Sequence, residues 1–230
     1  MKISIVKLAL VFAFISAVGA DADGGKIKVA CVGDSITYGA GIDKRDINAY
    51  PAKLQTYLGA GYEVRNYGSS GCTMLKKGDV PYWAQELFND ALKSAPDIVI
   101  ILLGTNDSKP QNWKFKDEFE ANGTEMIRTF RDLPSKPRVI VCTPPPVFKA
   151  EQWGIRRAVV KDEIIPGVQR ISTATGCEVV DLYTPLVGRS KWFPDTVHPN
   201  AAGADFLAMT LCQYLKSSAK PASGKGSTSP

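Results

Sequence analysis

The sequence predicts an α/β fold in which one parallel sheet carries helices on both faces. Apolar stretches of strand length alternate along the chain with longer stretches of helical periodicity. The short stretches are β-branched and almost continuously apolar, as expected of strands covered on both faces. With 230 residues, 44% of them hydrophobic and 22% charged, the chain has the size and composition of one domain with a real core.

The predicted elements follow one another in a regular order. Strands are predicted at residues 28–32, 63–67, 97–103, 138–142 and 178–182. Helices are predicted at about residues 50–58, 83–94, 115–133, 156–175 and 201–215. This rhythm favours a three-layer, flavodoxin-like sheet of order 2-1-3-4-5, in which a ligand binds at the carboxyl ends of the strands.

The two ends of the chain differ from the rest. Residues 1–20 contain Lys2, Lys7 and a short apolar run that ends in small residues. This pattern is typical of a secretory signal peptide, and the apolar run is too short for a membrane anchor. Residues 217–230 are rich in Ser, Gly, Pro and Lys and predict a disordered tail. We therefore expect a secreted or periplasmic protein with its folded domain at residues 21–216 and no stable membrane anchor.

The net charge of +5 arises at these ends. Without five terminal lysines, 23 basic residues balance 23 acidic ones; the five are Lys2, Lys7, Lys216, Lys220 and Lys225. No basic stripe interleaved with aromatic residues is present, so the sequence does not predict a nucleic-acid partner.

The cysteines do not form a recognisable framework. They are five in number and widely spaced, without a CxxC pair, and the chain has one histidine, so neither a disulfide scaffold nor a zinc site is indicated. Cys31 and Cys142 fall in apolar strands and are expected to be buried. An oxidising compartment would permit one disulfide, which the sequence does not identify. Acidic residues do not cluster as metal ligands, and we expect no cofactor.

Polar residues follow the predicted strands at the edge where a ligand would bind. They are GDS at 33–35, Gly71, GTND at 104–107 and DTVH at 195–198. A serine hydroxyl is a poor nucleophile until a base takes its proton, and His198 is the only imidazole. Asp195 can accept the other ring N–H. The backbone N–H groups of Ser35 and Gly71 and the side-chain amide of Asn106 are candidate oxyanion donors.

These four blocks, in this order, resemble those of the SGNH (GDSL-type) hydrolases. The phrases VRNYGSSG, GTNDSKPQNW and CTPPPVF are most similar to secreted bacterial sialate O-acetylesterases and carbohydrate acetylesterases. The resemblance implies that Ser35 is the nucleophile, His198 its base and Asp195 the residue that orients it. It also implies an oxyanion hole of Ser35, Gly71 and Asn106, and a carboxylic-ester hydrolase acting through an acyl-enzyme on acetylated small sugars or polysaccharides.

Other interpretations remain open at this point. Ser35 can serve as a helix N-cap, His198 can be a surface residue, and Asn106 can be a turn residue. For Asp34 and Asp107 we prefer structural roles in turns. The same triad can support a lysophospholipase or thioesterase activity, and the fold can also belong to a non-catalytic carbohydrate-binding protein.

Aromatic residues near the predicted loops are candidates for stacking on a sugar, although they are also ordinary core residues. They are Tyr38, Trp83, Trp113, Trp153 and Trp192. We favour Trp113, which is close in sequence to the Asn106 block, and Trp83 as substrate-binding residues.

Overall fold

The computed structural model describes residues 25–218. Its main sheet consists of parallel strands β1 (Ile27–Gly33), β2 (Tyr62–Gly68), β3 (Ile98–Leu102), β4 (Arg138–Cys142) and β7 (Glu178–Val180). A separate antiparallel hairpin supplies β5 (Glu151–Gln152) and β6 (Ile155–Arg156). The order β2-β1-β3-β4-β7 is the predicted 2-1-3-4-5 with the hairpin set aside, so that prediction is confirmed. The predicted signal peptide lies outside the described residues, as does the predicted tail beyond residue 218.

Helices surround the sheet on both sides. The α-helices are α1 (Ser35–Tyr38), α2 (Arg45–Asn48), α3 (Tyr50–Leu58), α4 (Glu86–Lys93), α5 (Pro110–Trp113), α6 (Phe119–Arg131), α7 (Arg157–Val159), α8 (Ile165–Thr175) and α9 (Ala201–Ser217). Short 3₁₀ turns lie at Tyr82–Ala84, Asn106–Ser108, Lys116–Glu118, Thr184–Leu186 and Ser190–Trp192. A π-helical turn at Val160–Ile164 joins α7 to α8.

Alternate residues of each strand build two core layers. Along β1, Val29 and Cys31 face one layer while Ala30 and Val32 face the other, and all four are at most 1% exposed. The first layer is completed by α3 and α9, and the second by α4, α6 and α8. This explains why the strands read as continuous apolar runs: both of their faces are covered.

The structure differs from the predicted elements in several places, and two of the differences have identifiable reasons. β7 ends at Val180 because the Asp181 carboxylate accepts hydrogen bonds from the next turn, at the amides of Tyr183 and Thr184. The long predicted helix at 156–175 contains a π turn directly before Pro166, a residue that has no N–H to continue the regular ladder. The β5–β6 hairpin was not predicted at all.

Two glycines allow the close approach on which the active edge depends. A Cβ on Gly68 would lie 2.2 Å from the backbone nitrogen of Tyr38, and one on Gly33 would lie 2.6 Å from the Leu102 carbonyl. No side chain fits at either place. The end of β2 can therefore pack against α1, and the ends of β1 and β3 meet at one edge.

All five cysteines are buried and free. The expected burial of Cys31 and Cys142 is confirmed, at 0% and 1% exposure. Burial raises the pKa of the Cys31 thiol to about 12 and raises that of Cys142 even further. Among residues 25–218, no helix combines the length and apolarity needed to cross a membrane.

Candidate active site

Ser35 occupies the first position of α1, directly after β1, and its side chain is almost buried, at 8% exposure. The cap of this helix is Asp34, whose Oδ1 accepts a 2.9 Å hydrogen bond from the Ile36 amide. The alternative in which Ser35 merely caps the helix is therefore wrong, and the turn-shaping role expected of Asp34 is confirmed.

A chain of two short hydrogen bonds links Ser35 to the carboxyl-terminal part of the molecule. Ser35 Oγ lies 2.8 Å from His198 Nε2, and His198 Nδ1 lies 2.8 Å from Asp195 Oδ2. Because the Asp195 carboxylate only accepts, Nδ1 carries the proton and Nε2 is left as the acceptor facing the serine. Chemically, this arrangement can move a proton from the hydroxyl to the ring.

The turn at residues 195–198 holds the histidine in this orientation. Asp195 Oδ1 accepts hydrogen bonds from the amides of Val197 at 2.9 Å and His198 at 2.7 Å. Partial burial acts to raise the pKa of Asp195, but these bonds and the bond to the imidazole outweigh it and hold the pKa below its ordinary value. Asp195 is therefore a stable anion. Thr196, within the turn, has a φ of 75°, which is strained for a β-branched residue.

Two backbone N–H groups at this edge have no acceptor among residues 25–218. Ser35 is the first residue of its helix, where the amide has no intrahelical partner. Gly71 lies in the loop after β2 with a φ of 83°, a conformation that favours glycine. That loop is tied to the end of β1 by a 2.9 Å bond from the Ser69 amide to the Gly33 carbonyl.

The amide of Asn106 reaches the same edge from the end of β3. Its Nδ2 lies 3.2 Å from the Cys72 carbonyl and 3.4 Å from Asp34 Oδ2. The first distance is at the upper end of the usual range for N–H···O bonds and the second is beyond it, so two long hydrogen bonds hold the amide at this edge. The backbone carbonyl of Asn106 accepts a 2.9 Å hydrogen bond from Asn112 Nδ2, which also donates to the Asp79 carboxylate.

Two fully buried carboxylates flank Asn106. Asp107 accepts bonds from the amides of Met74 at 3.0 Å and Leu75 at 2.8 Å, so its structural role joins two loops rather than ending β3. Burial raises the pKa of Asp34 to about 7 and that of Asp107 to about 6, despite the opposing amide bonds. The serine side of the site is therefore a buried, densely hydrogen-bonded polar layer.

Trp83 and Trp113, the residues predicted to bind substrate, both pack against protein groups. Trp113 is only 8% exposed, donates to Glu163 at 2.9 Å and packs on Phe119. The ring of Trp83 lies between Phe88 and the Lys76 ammonium, and its N–H donates to the Met74 carbonyl. Both side chains serve the core layer that contains α4 and α6, a long-range packing outcome that their sequence positions did not reveal.

The aromatic side chain that does lie beside the imidazole is Trp153. It occupies the turn of the β5–β6 hairpin, is 58% exposed, and its ring centroid lies 5.6 Å from that of His198. Sequence reasoning named Trp153 without favouring it. The sequence signal for this residue is the following Gly154, which fits a two-residue hairpin turn.

A groove beside the edge strand is distinct from the site formed by these residues. It encloses about 750 Å³ between the edge strand β2 and α3, with Tyr38, Arg45 and Pro51 among its walls, and neither Ser35 nor His198 lines it. Within residues 25–218, no cluster of His, Cys, Asp and Glu side chains has a metal-binding arrangement.

The sheet order and the helices on both faces define a doubly wound α/β protein with polar groups at the carboxyl edge of its sheet. A family model described as GDSL-like Lipase/Acylhydrolase matches residues 31–206, and the chain belongs to this family. A similar relative, named acetylxylan esterase, comes from Xylanibacter ruminicola. It is 42% identical over 208 residues, an alignment that covers 83% of this chain and 43% of the relative. The chain thus spans less than half of that protein's length.

Solved structures of low sequence identity share the fold. A carbohydrate acetylesterase from Sinorhizobium meliloti matches with a TM-score of 0.67 at 20% identity, over 84% of this chain and 99% of that one. A two-domain esterase active on acetylated mannans matches with a TM-score of 0.63 at 22% identity, over 89% of this chain and 54% of that one.

Proposed function

We propose that this protein is a secreted or periplasmic serine esterase that removes acetyl groups from acetylated sugars or polysaccharides. The observation that carries the proposal is the pair of 2.8 Å contacts that join Ser35, His198 and Asp195. The relative named acetylxylan esterase and the carbohydrate acetylesterase fold neighbour support the choice of acetylated carbohydrate.

In the proposed reaction, Ser35 Oγ attacks the ester carbonyl while His198 Nε2 takes its proton. The oxyanion receives hydrogen bonds from the Ser35 and Gly71 amides and from the Asn106 side chain. Collapse of the tetrahedral intermediate expels the sugar alkoxide, which takes the proton from His198, and leaves acetyl-Ser35. A water activated by the same imidazole then releases acetate and restores the serine.

Labelling and turnover together test this mechanism. A fluorophosphonate should label wild type with a stoichiometry of one at Ser35, and Ser35→Ala should lose both labelling and, by roughly 10³-fold or more, acetate release from acetylated xylan. Ser94→Ala is the matched control because Ser94 ends α4 at the opposite edge of the sheet. Near-normal turnover by Ser35→Ala would refute the mechanism, and absent labelling of wild type would favour the non-catalytic carbohydrate-binding alternative.

Acyl-chain preference separates the proposal from its lipolytic alternative. On p-nitrophenyl esters from acetyl to octanoyl, we expect kcat/KM to be highest for acetyl and to fall with chain length. A steady rise toward octanoyl would indicate a lysophospholipase or thioesterase type of activity on the same residues.

The proposed export requires its own measurement. When the full chain is produced in a bacterial host, the mature protein should appear in the periplasm or medium with an amino terminus at or just beyond Asp21. Retention in the cytoplasm with Met1 or Lys2 at the amino terminus would refute secretion without affecting the catalytic proposal.

A further inference from the structure

The β5–β6 hairpin projects one large aromatic ring into solvent beside the proposed base. Trp153 is 58% exposed, and its ring is tilted by 36° to the His198 imidazole at a centroid distance of 5.6 Å. The indole N–H of Trp83 and that of Trp113 are both bonded to protein groups, whereas that of Trp153 has no partner among the described residues. Trp153 therefore offers both a free ring face and a free donor.

The backbone at Trp153 is one that tryptophan adopts at a cost. Trp153 and Gly154 form a two-residue hairpin turn with φ values of 53° and 80°. Positive φ at both central positions is the requirement of a type I′ turn, for which Asn-Gly is the preferred pair. A bulky residue in the Asn position is strained, and such strain at the rim of a site points to a role for the side chain.

The hairpin is held firmly against the rest of the site. The Arg156 amide donates to Ser108 Oγ at 3.1 Å, and Arg156 Nε donates to the Ser108 carbonyl at 2.7 Å. Ile155, only 3% exposed, joins a small apolar cluster with Val147, Val160 and Val197, the last being the neighbour of His198. The position of Trp153 relative to the proposed base and to the end of β3 is therefore fixed by packing on both sides.

We propose that Trp153 is a stacking platform for a sugar ring of the substrate and so selects carbohydrate esters over small esters. This inference rests on the proposed function. The C–H face of a pyranose is apolar and flat enough to lie on an indole, while the free indole N–H can donate to a hydroxyl or ring oxygen. Stacking next to His198 would hold the acetylated ring with its ester directed at Ser35.

Asparagine is the variant of choice, because Trp153→Asn removes the ring and restores the preferred Asn-Gly turn. Its melting temperature should not fall. Trp153→Phe keeps an aromatic face. Lys136→Asn is the matched control, since Lys136 also has a positive φ, at 46°, but lies before β4 at the opposite edge of the sheet.

Selectivity is the first readout. We expect Trp153→Asn to lower kcat/KM for acetylated xylo-oligosaccharides about tenfold more than for p-nitrophenyl acetate, mainly through KM, a factor that corresponds to about 1.4 kcal/mol. Trp153→Phe should retain most of the selectivity, and Lys136→Asn should not change it. Equal losses on both substrates would overturn the proposal, because they would indicate that Trp153 only positions His198. The absence of a loss on either substrate would overturn it as well.

Direct binding separates this inference from the proposed function. In the Ser35→Ala background, calorimetry should show that acetylated xylo-oligosaccharide binds about tenfold more weakly when Trp153→Asn is added. Unchanged or undetectable binding would overturn the stacking role even if wild type hydrolyses p-nitrophenyl acetate. Intact, Trp153-dependent binding by a wild-type protein that hydrolyses no ester would instead refute the esterase and leave the platform standing.

Discussion

The two sides of the site are built in different ways. On the serine side, Asp34, Asn106 and Asp107 are at most 3% exposed; Asn106 is bonded to Asp34, and Asp107 to the loop that follows Gly71. On the histidine side, Asp195 and His198 are partly exposed, and Thr196 and Trp153 beside them have positive φ values that are strained for non-glycine residues. The serine side follows the ends of the sheet strands, whereas the histidine side lies in the turn before α9 and packs against the β5–β6 hairpin through the Val197 cluster.

This contrast indicates that the two sides of the site have different roles. A buried network of polar groups is rigid, since each group would be costly to leave unpaired, and it suits donors that must be preorganised. The histidine side combines solvent access with local strain, which suits groups that exchange protons and meet the substrate. Changes on the serine side should therefore affect transition-state stabilisation and stability, and changes on the histidine side should affect proton transfer and selectivity.

The largest expected effect is that of Asp195→Asn. An asparagine Oδ1 can still accept from the Val197 and His198 amides, so the turn persists, but the ring loses the anion that fixes its tautomer. We expect kcat on p-nitrophenyl acetate to fall about 10⁴-fold with little change in the circular dichroism spectrum. A fall of less than tenfold would remove Asp195 from the triad and leave Ser35 and His198 as a dyad.

On the serine side, Asn106→Ala tests the oxyanion donor. In the proposed mechanism the amide acts mainly on charge that develops in the transition state, so kcat should fall by about 10²–10³-fold while KM changes little. Steady-state kinetics on an acetyl ester measure both quantities. If the change appeared in KM alone, Asn106 would be a substrate-positioning residue, and the two sides of the site would not differ in the way described.

The buried Asp34 predicts a dependence of stability on pH. Because its folded pKa of about 7 is raised from 3.8, the folded protein retains a proton that the unfolded chain releases. The stabilisation is complete below pH 3.8 and is lost as the pH rises through about 7. In urea denaturation, ionisation of Asp34 should lower the free energy of unfolding of wild type by roughly 3 kcal/mol between pH 5 and pH 8. The Asp34→Asn variant should lack this decrease. An identical pH dependence in wild type and variant would mean that Asp34 is ionised throughout.

The smallest expected effect concerns strain on the histidine side. Thr196 combines a φ of 75° with a buried hydroxyl that has no partner among the described residues. Thr196→Gly should therefore raise the unfolding free energy by about 1 kcal/mol, which is about 2–4 °C in melting temperature, and lower kcat several-fold as the turn loosens. Lys136→Gly, which relieves backbone strain without removing a buried hydroxyl, should stabilise less and leave kcat unchanged. Destabilisation by Thr196→Gly would contradict the strain argument.

The serine side could be predicted almost completely from the sequence. Its residues follow buried strands, and parallel strands bring their carboxyl ends to one edge, so chain order alone brought the loops of Ser35, Gly71 and Asn106 together. The same logic predicted the five-stranded sheet. Asp195 and His198 were predicted from their own spacing and from the absence of any other imidazole.

What the sequence did not reveal depends on contacts between distant segments. The two-residue strands of the β5–β6 hairpin are too short to show periodicity, and the hairpin is held by Ser108 and by the Val197 cluster, which are remote in the chain. The same limitation applies to the tryptophans: proximity in sequence favoured Trp113, whereas packing buries Trp113 and exposes Trp153. Exposure is a property of the assembled layers rather than of local sequence.

The five buried cysteines have a consequence for how opening of this protein can be observed. Each thiol is at most 6% exposed in the folded state, so an alkylating reagent can reach it only when the surrounding layer opens. Cys31 lies in β1 and Cys142 at the end of β4. Cys177 precedes β7, Cys72 follows Gly71, and Cys212 is in α9. The chain thus carries natural reporters in separate parts of the fold. The order in which they react with a thiol reagent gives the order in which those parts come apart.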